Sequence, residues 1–187
     1  IGIYFQSASN NNNASANTSY ANTDHGTLIE NSFNNTLSAH NSYANIGAGI
    51  FLLANSSNTL NANNSYANSS FGIQLQNVTY ITLRANNSFA NSGSGIRVFN
   101  AANNTYIRGG LGYNAAGNNL PNTPSEIDFD TGADVESLTL LGARINPAVG
   151  ISTAGMNNTG SNLVSYNQDY TTGTIRLYGH LTLSATN

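Results

Sequence analysis

The sequence contains no cysteine, no lysine and no tryptophan, and only 7% of its 187 residues are charged. Without cysteine, the chain has neither disulfides nor thiolate metal sites. The five arginines are scattered, so no basic patch can neutralise phosphates, and this argues against nucleic-acid binding. No apolar run reaches the length of a membrane span. These absences leave a polar chain of net charge −3 that is long enough for one domain with a core.

What the sequence does contain is a repeat of about 23 residues. Asparagine and glycine keep the period, and an aromatic residue stands two positions before most of the repeating asparagines. Fixed self-similarity with a period in the twenties is typical of a solenoid, in which each repeat is one turn stacked on the next. The repeating positions are Asn22, Asn45, Asn68, Asn91 and Asn114, with Gly26, Gly49, Gly72 and Gly95, and with Tyr20, Tyr43, Tyr66 and Phe89.

Each repeat begins with an alternating strand after the glycine, as in Ile50 to Leu53, followed by a polar corner and a second short strand. Stacked turns lie about 4.8 Å apart, so like residues lie on like. We therefore expect the asparagine amides to bond to one another along their column, and we interpret the aromatic column as core filling. At Gly49 and Gly72, which open their turns, we expect a positive φ or a close approach of backbone.

The pattern G-I-x-L…N-T-L-x-x-N-x-S-Y-A-N resembles the right-handed parallel β-helix repeats of the pectin-lyase-like superfamily. It is most similar to the short-period repeats of carbohydrate-binding and sugar-hydrolase modules, and the resemblance covers residues 1–119. The resemblance implies an all-β, right-handed parallel β-helix of about 23 residues per coil. Members of that group include polysaccharide lyases, hydrolases, epimerases, phage tailspikes, adhesins and purely structural solenoids, so several functions remain open.

The pattern changes along the chain, and we predict three regions. Residues 1–119 form regular coils, residues 120–161 form irregular coils after a proline-containing loop, and residues 162–187 form a C-terminal antiparallel β-hairpin or cap. The chain begins without Met and inside a repeat, so we expect a processed form or an excerpt of a longer protein.

Few residues suggest catalysis or metal binding. Asp128, Asp130 and Asp134 are weak Ca²⁺ candidates, but they alternate with apolar residues and fit the solvated face of a strand better. Glu30 is the single acid in its outward column, and Arg97 is the one basic residue on that face. His25, His40 and His180 share no column, and we interpret them as isolated surface or turn residues. We expect no cofactor, and the sequence leans against an enzyme.

An apolar strip is predicted on the outward side of the first strands. Strips of this kind mark contacts, so we expect a partner or the chain's own tail to cover it. Its residues are Tyr4, Leu28, Phe51, Leu53 and Phe99.

The sequence leads to two main hypotheses for function. The first is an extracellular or cell-surface structural solenoid that joins copies of itself, or like β-helix domains, head to tail through residues 174–184 into a filament or surface layer. The second is a module that binds or degrades polysaccharide. The column of Thr36, Thr59, Thr82 and Thr105 raises ice binding as a further hypothesis. About ten N-x-[ST] sequons, Asn34, Asn55, Asn63 and Asn86 among them, indicate either glycosylation or chance in an asparagine-rich repeat.

Overall fold

The computed structural model describes residues 1–103, 105–111, 122–123, 125, 127–129, 137–140, 144–145, 151–152 and 163–166. Every regular element in this part of the chain is a β-strand, and the named strands pair in parallel. The strands wind into a right-handed parallel β-solenoid with about four regular turns, as the sequence predicts. No helix long and apolar enough to cross a membrane occurs among these residues.

Three faces run along the solenoid. The first face contains β1 (Ile3–Phe5), β4 (Thr27–Glu30), β7 (Ile50–Leu53), β10 (Ile73–Thr79), β12 (Ile96–Asn103), β14 (Ile127–Phe129) and β17 (Ile151–Ser152). The second face contains β2 (Asn13–Ser15), β5 (Thr36–Ser38), β8 (Thr59–Asn61), β11 (Thr82–Phe89), β13 (Thr105–Leu111), β15 (Ser137–Leu140) and β18 (Leu163–Tyr166). The third face contains β3 (Thr18–Tyr20), β6 (Asn41–Tyr43), β9 (Asn64–Tyr66), the ends of β11 and β13, and β16 (Arg144–Ile145).

The core lies between these faces and is filled by the inward side of each alternating strand. Ile29, Leu52 and Leu75 of the first face meet Leu37, Leu60 and Leu83 of the second, all at most 1% exposed. Branched aliphatic side chains suit this position because they pack well on a pleated surface. The thirteen buried residues of this cluster reach from Ile29 to Ile127, so the core continues into the sixth coil.

After the first strand pair, in which Ile3 meets Thr27, the turns match residues 23 apart until the fifth coil. Ile50 pairs with Ile73, but the amide that meets Asn91 is that of Asn122, 31 residues on rather than 23. The fifth coil is therefore eight residues longer than its neighbours. Asn114, the predicted fifth member of the asparagine column, lies outside the described residues, and Asn122 occupies the position beside Asn91.

Regular pairing also continues beyond residue 119. Leu163–Tyr166, which begins the predicted C-terminal hairpin, pairs in parallel with β15 and so lies on the solenoid stack. Residues 174–184, the other strand of that hairpin, lie outside the described residues. The three-region division and the antiparallel pairing stay predictions.

The glycines that open the turns meet backbone and side chains at very short range. An added Cβ at Gly49 would lie 2.0 Å from the Ser65 hydroxyl oxygen, and one at Gly72 would lie 2.7 Å from the carbonyl oxygen of Gly95. Real Cβ atoms do not approach other heavy atoms so closely. Of the two alternatives predicted for these glycines, the structure shows the close approach.

The asparagine column forms a buried ladder of amides beside these glycines. Asn45 Nδ2 donates to Asn68 Oδ1 at 2.9 Å, and Asn68 Nδ2 donates to Asn91 Oδ1 at 2.9 Å. The backbone N–H groups of Asn45 and Asn68 donate to the same acceptors at 3.1 Å. Asn22 begins the ladder by donating to Asn45 Oδ1 at 2.7 Å. Buried backbone donors at this corner are thereby satisfied without a β-ladder.

Several sequon asparagines serve similar ladders. Asn55, Asn63 and Asn86 are buried, and their amides hydrogen-bond to carbonyls of the preceding turn. A buried, hydrogen-bonded amide cannot carry a glycan in the folded protein. Asn34 is exposed at a corner with a φ of 57°. Three of these four sequon asparagines therefore stabilise the fold and are not glycosylation sites.

The interpretation of the aromatic column as core filling is wrong. Serine, and not the aromatic ring, points inward at the third face: Ser42 is fully buried and donates to the Gly49 carbonyl at 2.6 Å, whereas Tyr20 is 59% exposed. The corner is too narrow for a ring because the serine hydroxyl must reach the carbonyl of the next turn. Period-two alternation then places Tyr43 and Tyr66 outside.

The threonine column ends after three members. Thr36 pairs with Thr59 and Thr59 with Thr82, but the next partner is Tyr106, because one extra residue follows Phe99 in β12. Thr105 is instead buried, at 2% exposed. A three-residue column gives little support to ice binding.

His40 is a core residue, and its interpretation as an isolated surface or turn residue is wrong. It is fully buried, and its Nε2 shares a hydrogen bond with Thr27 Oγ1 at 2.9 Å. No well-formed hydrogen bond reaches Nδ1 from the described residues. Burial disfavours the charged ring and lowers the pKa of His40 to about 4.

This shift predicts acid sensitivity. Between the unfolded pKa of about 6.5 and the folded pKa, the unfolded chain binds a proton that the folded chain does not, so stability falls as the pH decreases through this window. From pH 7 to pH 4.5 we expect His40 to contribute a loss of about 2 kcal/mol. Chemical denaturation of the protein and of His40→Asn at both pH values measures this contribution, because asparagine suits a column that also contains Asn63 and Asn86. Equal losses in the two proteins would contradict the assignment.

Candidate functional site

The outward side of the first face brings charged, amide and aromatic side chains together, and it is the candidate site. Because the strands are in register, outward residues stand in two rows along the solenoid axis. One row is Tyr4, Leu28, Phe51, Gln74, Arg97 and Asp128, and the other is Glu30, Leu53, Gln76 and Phe99.

The predicted apolar strip lies within these rows. Leu28 and Phe51 are each only 8% exposed, Leu53 and Phe99 are half-buried, and Tyr4 at the end of the row is 42% exposed. Leu28, Phe51 and Ala48 form a small apolar cluster against which Leu53 and Phe71 pack. Residues of the preceding corner thus cover part of the strip. That a partner or the chain's tail covers it stays a prediction.

His25 belongs to this surface. Its ring lies edge-on to Phe51 with centroids 4.9 Å apart, its Nδ1 accepts the Ala48 N–H at 2.9 Å, and its Nε2 lies 3.4 Å from Asp24 Oδ1. Burial lowers the pKa of His25, and the Asp24 carboxylate opposes the shift. The ring is therefore held as a neutral, oriented group beside an aromatic face.

Arg97 lies over two aromatic rings. Its guanidinium carbon is 4.7 Å from the Phe71 ring centroid and 4.9 Å from that of Phe99. Each such cation–π contact contributes about 0.5–2 kcal/mol. Its partner in the next strand is Asp128, so an acidic residue does stand beside Arg97. The sequence did not reveal this neighbour because the long fifth coil separates the two in sequence.

The opposite end of the surface carries a second polar group. The Tyr4 hydroxyl donates to Glu30 Oε2, and this bond raises the pKa of Tyr4. Between the two ends lie Gln74 and Gln76, whose side-chain amides approach each other to 3.4 Å. The surface therefore has an apolar centre with hydrogen-bonding groups around it.

The strand carboxylates of this surface are too far apart to act as a pair. Glu30 and Asp128 are four strand spacings apart, or about 19 Å at about 4.8 Å per spacing. A glycosidase needs two carboxyl groups within about 9.5 Å. Among the described residues no group of three or more His, Asp or Glu could hold a metal ion. Asp130 and Asp134, the other Ca²⁺ candidates, lie outside the described residues.

Sequence reasoning missed His25 and Phe71 as parts of this surface. Each of them immediately precedes a glycine that opens a turn, and the two positions are two repeats apart. Each also contacts the residue 26 positions later: His25 contacts Phe51, and Phe71 contacts Arg97. The signal in the sequence that could have identified them is the repeating position immediately before each turn-opening glycine. It is inconspicuous because its other members, Ala48 and Ser94, are small.

Comparison with known proteins agrees with this architecture. Residues 1–122 match the family described as the right-handed beta helix region. The periplasmic alginate epimerase AlgG superposes with a TM-score of 0.61 at 21% identity, over 75% of this chain and 36% of AlgG. The A-module of the Azotobacter vinelandii mannuronan C-5 epimerase AlgE4 covers 91% of this chain and 53% of its own length, at 13% identity and a TM-score of 0.44, too loose to support an argument.

At these identities the structural likeness is one of fold alone, and the chain spans about a third of the length of AlgG. No curated protein matches the sequence. The family match covers well over half of the chain, and the chain belongs to the right-handed beta helix family.

Proposed function

We propose that the protein is a polysaccharide-binding β-helix module and that the outward side of the first face holds the saccharide. The observation that carries this proposal is the pair of rings, Phe71 and Phe99, that Arg97 contacts at the polar end of its row, between Gln74 and Asp128. Aromatic and apolar side chains receive the C–H face of a sugar, while Gln76, which is half-buried and accepts from the buried Gln74, can hydrogen-bond its hydroxyls. Polysaccharide chains are long, and a surface that extends over several coils can contact several sugar residues.

Two further considerations favour this function over self-assembly. AlgG, a solved neighbour of the same fold, is by name an alginate epimerase, so a chain of this fold can face a polysaccharide. AlgG is also by name periplasmic, which supports an extracellular or periplasmic place for the present protein. Head-to-tail assembly through residues 174–184 stays a hypothesis, since that segment lies outside the described residues.

Affinity electrophoresis tests the proposal. The protein is run through gels that contain alginate, polygalacturonate or a neutral β-glucan, and we expect at least one of these to retard it. Arg97→Ala/Phe99→Ala should weaken the retardation at least tenfold, because aromatic and arginine anchors carry most of the energy of such contacts. Tyr80→Ala is the matched control, since this tyrosine is 61% exposed and lies outside both rows. Unretarded wild-type protein in all three gels, or equal retardation of the double variant, would overturn the proposal.

A further inference from the structure

The third face carries a second ordered surface that shares no residue with the first-face site. Its outward side has two rows that run along the solenoid axis, one amide and one aromatic. No charged side chain occurs in either row. The rows are Thr18, Asn41, Asn64 and Asn87, and Tyr20, Tyr43, Tyr66 and Phe89.

Both rows are held rigidly by contacts between successive coils. Ring centroids lie 5.4, 5.0 and 4.9 Å apart from Tyr20 to Phe89, and neighbouring planes agree within 11°. In the amide row Asn64 Nδ2 donates to Asn41 Oδ1 and Asn87 Nδ2 donates to Asn64 Oδ1, both at 2.9 Å. Binding groups that are already fixed lose little entropy when a ligand arrives.

The amide row keeps hydrogen-bonding capacity for a ligand. A side-chain amide has two N–H donors and an oxygen with two lone pairs. The ladder uses one N–H of Asn64 and one lone pair of its oxygen. Asn64 is half-buried, so its remaining donor and lone pair can face solvent. Burial raises the pKa of Tyr66, so the neighbouring hydroxyl keeps its proton and can donate.

We propose that this face binds an uncharged, extended glycan that lies parallel to the solenoid axis. Each of the four coils offers one ring, and three of them also offer an amide, at a repeat of about 4.8 Å. A sugar residue in an extended 1,4-linked chain has nearly this length, so successive sugar residues, which turn alternate edges toward the protein, can lie beside successive coils. A peptide strand laid along the axis would repeat its outward groups only about every 6.7 Å and would lose register. The eight positions of the two rows carry no charged side chain, so a polyanion that lies along these four coils finds no charge to pair with; the row continues beyond them to Gly110 and Arg144.

The proposal does not depend on the first-face function, and calorimetric titration with cello-oligosaccharides separates the two. We expect cellohexaose to bind and affinity to rise from the dimer to the tetramer, because the face offers four rungs. Tyr43→Ala/Tyr66→Ala should weaken binding of cellohexaose at least tenfold. Tyr80→Ala, which lies outside the rows of both faces, should leave it unchanged.

Tyr43→Phe/Tyr66→Phe keeps the ring stack and removes two hydroxyls, so it should weaken binding several-fold in a protein that folds normally. This variant decides the question if the alanine variant unfolds. No binding of cellohexaose, an affinity independent of oligomer length, or full affinity in both double variants would overturn the inference. Loss of binding in Arg97→Ala alone would also overturn it, by moving the glycan to the first face and leaving the proposed function intact.

Discussion

Gly72→Val is expected to destabilise the protein by about 4 kcal/mol or more, among the larger effects of a single substitution. The first atom of the new side chain would lie 1.9 Å from the Ser88 hydroxyl oxygen, 2.7 Å from Asn91 Nδ2 and 2.7 Å from the Gly95 carbonyl oxygen. Two of these atoms belong to buried, hydrogen-bonded side chains and one belongs to the backbone. Displacing them to make room for valine therefore costs considerable free energy of folding. Thermal and urea denaturation measure the loss.

Two further variants separate the close approach from a general effect of valine in a turn. Ser69→Val changes an exposed residue of the same corner and should cost less than about 1 kcal/mol. Gly72→Ala/Ser88→Ala removes the nearest obstacle and should be less destabilised than the sum of its single variants. A Gly72→Val protein that unfolds like the wild type would show that the corner has room for a side chain.

Asn68→Ala is the second substitution with a large expected effect, a loss of about 3–5 kcal/mol. The Asn68 side chain accepts two hydrogen bonds from Asn45 and donates to Asn91 Oδ1, and it is 1% exposed. Alanine would leave the buried Asn45 backbone N–H without its acceptor, would take one acceptor from the Asn45 amide, and would remove the bond donated to Asn91; a buried group left unsatisfied costs about 1–3 kcal/mol.

The matched control for Asn68→Ala is Asn61→Ala, which removes the same amide from the half-buried outward side of β8. It should change the free energy of unfolding by less than about 1 kcal/mol. Equal losses for the two variants would mean that the buried ladder contributes no more than a surface amide.

The sequence predicts the parts of this fold that repeat. The 23-residue spacing of Gly49 and Gly72 reports a corner where backbone and side chains meet, and the spacing of Asn45 and Asn68 reports an amide ladder. Both signals are strong because the physical requirement for glycine or asparagine at these positions recurs in every regular coil. The repeat does not predict whether the aromatic column points into the core or toward solvent. A tyrosine beside a serine is normally the buried one, and only the Ser42 bond to the Gly49 carbonyl reverses the preference.

The candidate site is less predictable because its residues do not repeat. Tyr4, Leu28, Phe51 and Phe99 can be placed on one face from alternation alone, and the structure puts them there. His25 and Phe71 reach the same face from a corner whose geometry no periodicity encodes. Asp128 comes beside Arg97 only through a coil eight residues longer than the others, and its length cannot be counted from the regular repeat. The left-handed corner residues are a separate case, since alanines such as Ala44 and Ala67 recur every 23 residues and yet hold a positive φ, which alanine seldom adopts.

The claim that the first face holds polysaccharide is tested most directly by mapping the contact. Backbone amide shifts in an NMR titration with a hexasaccharide, chosen from the polymer that retards the protein most, locate the bound chain. The account predicts shift changes at Phe71, at Gln74 to Gln76 and at Arg97 to Phe99. If the hexasaccharide moved amides only on the second or third face, or moved none at saturating concentration, the first face would not be the binding surface.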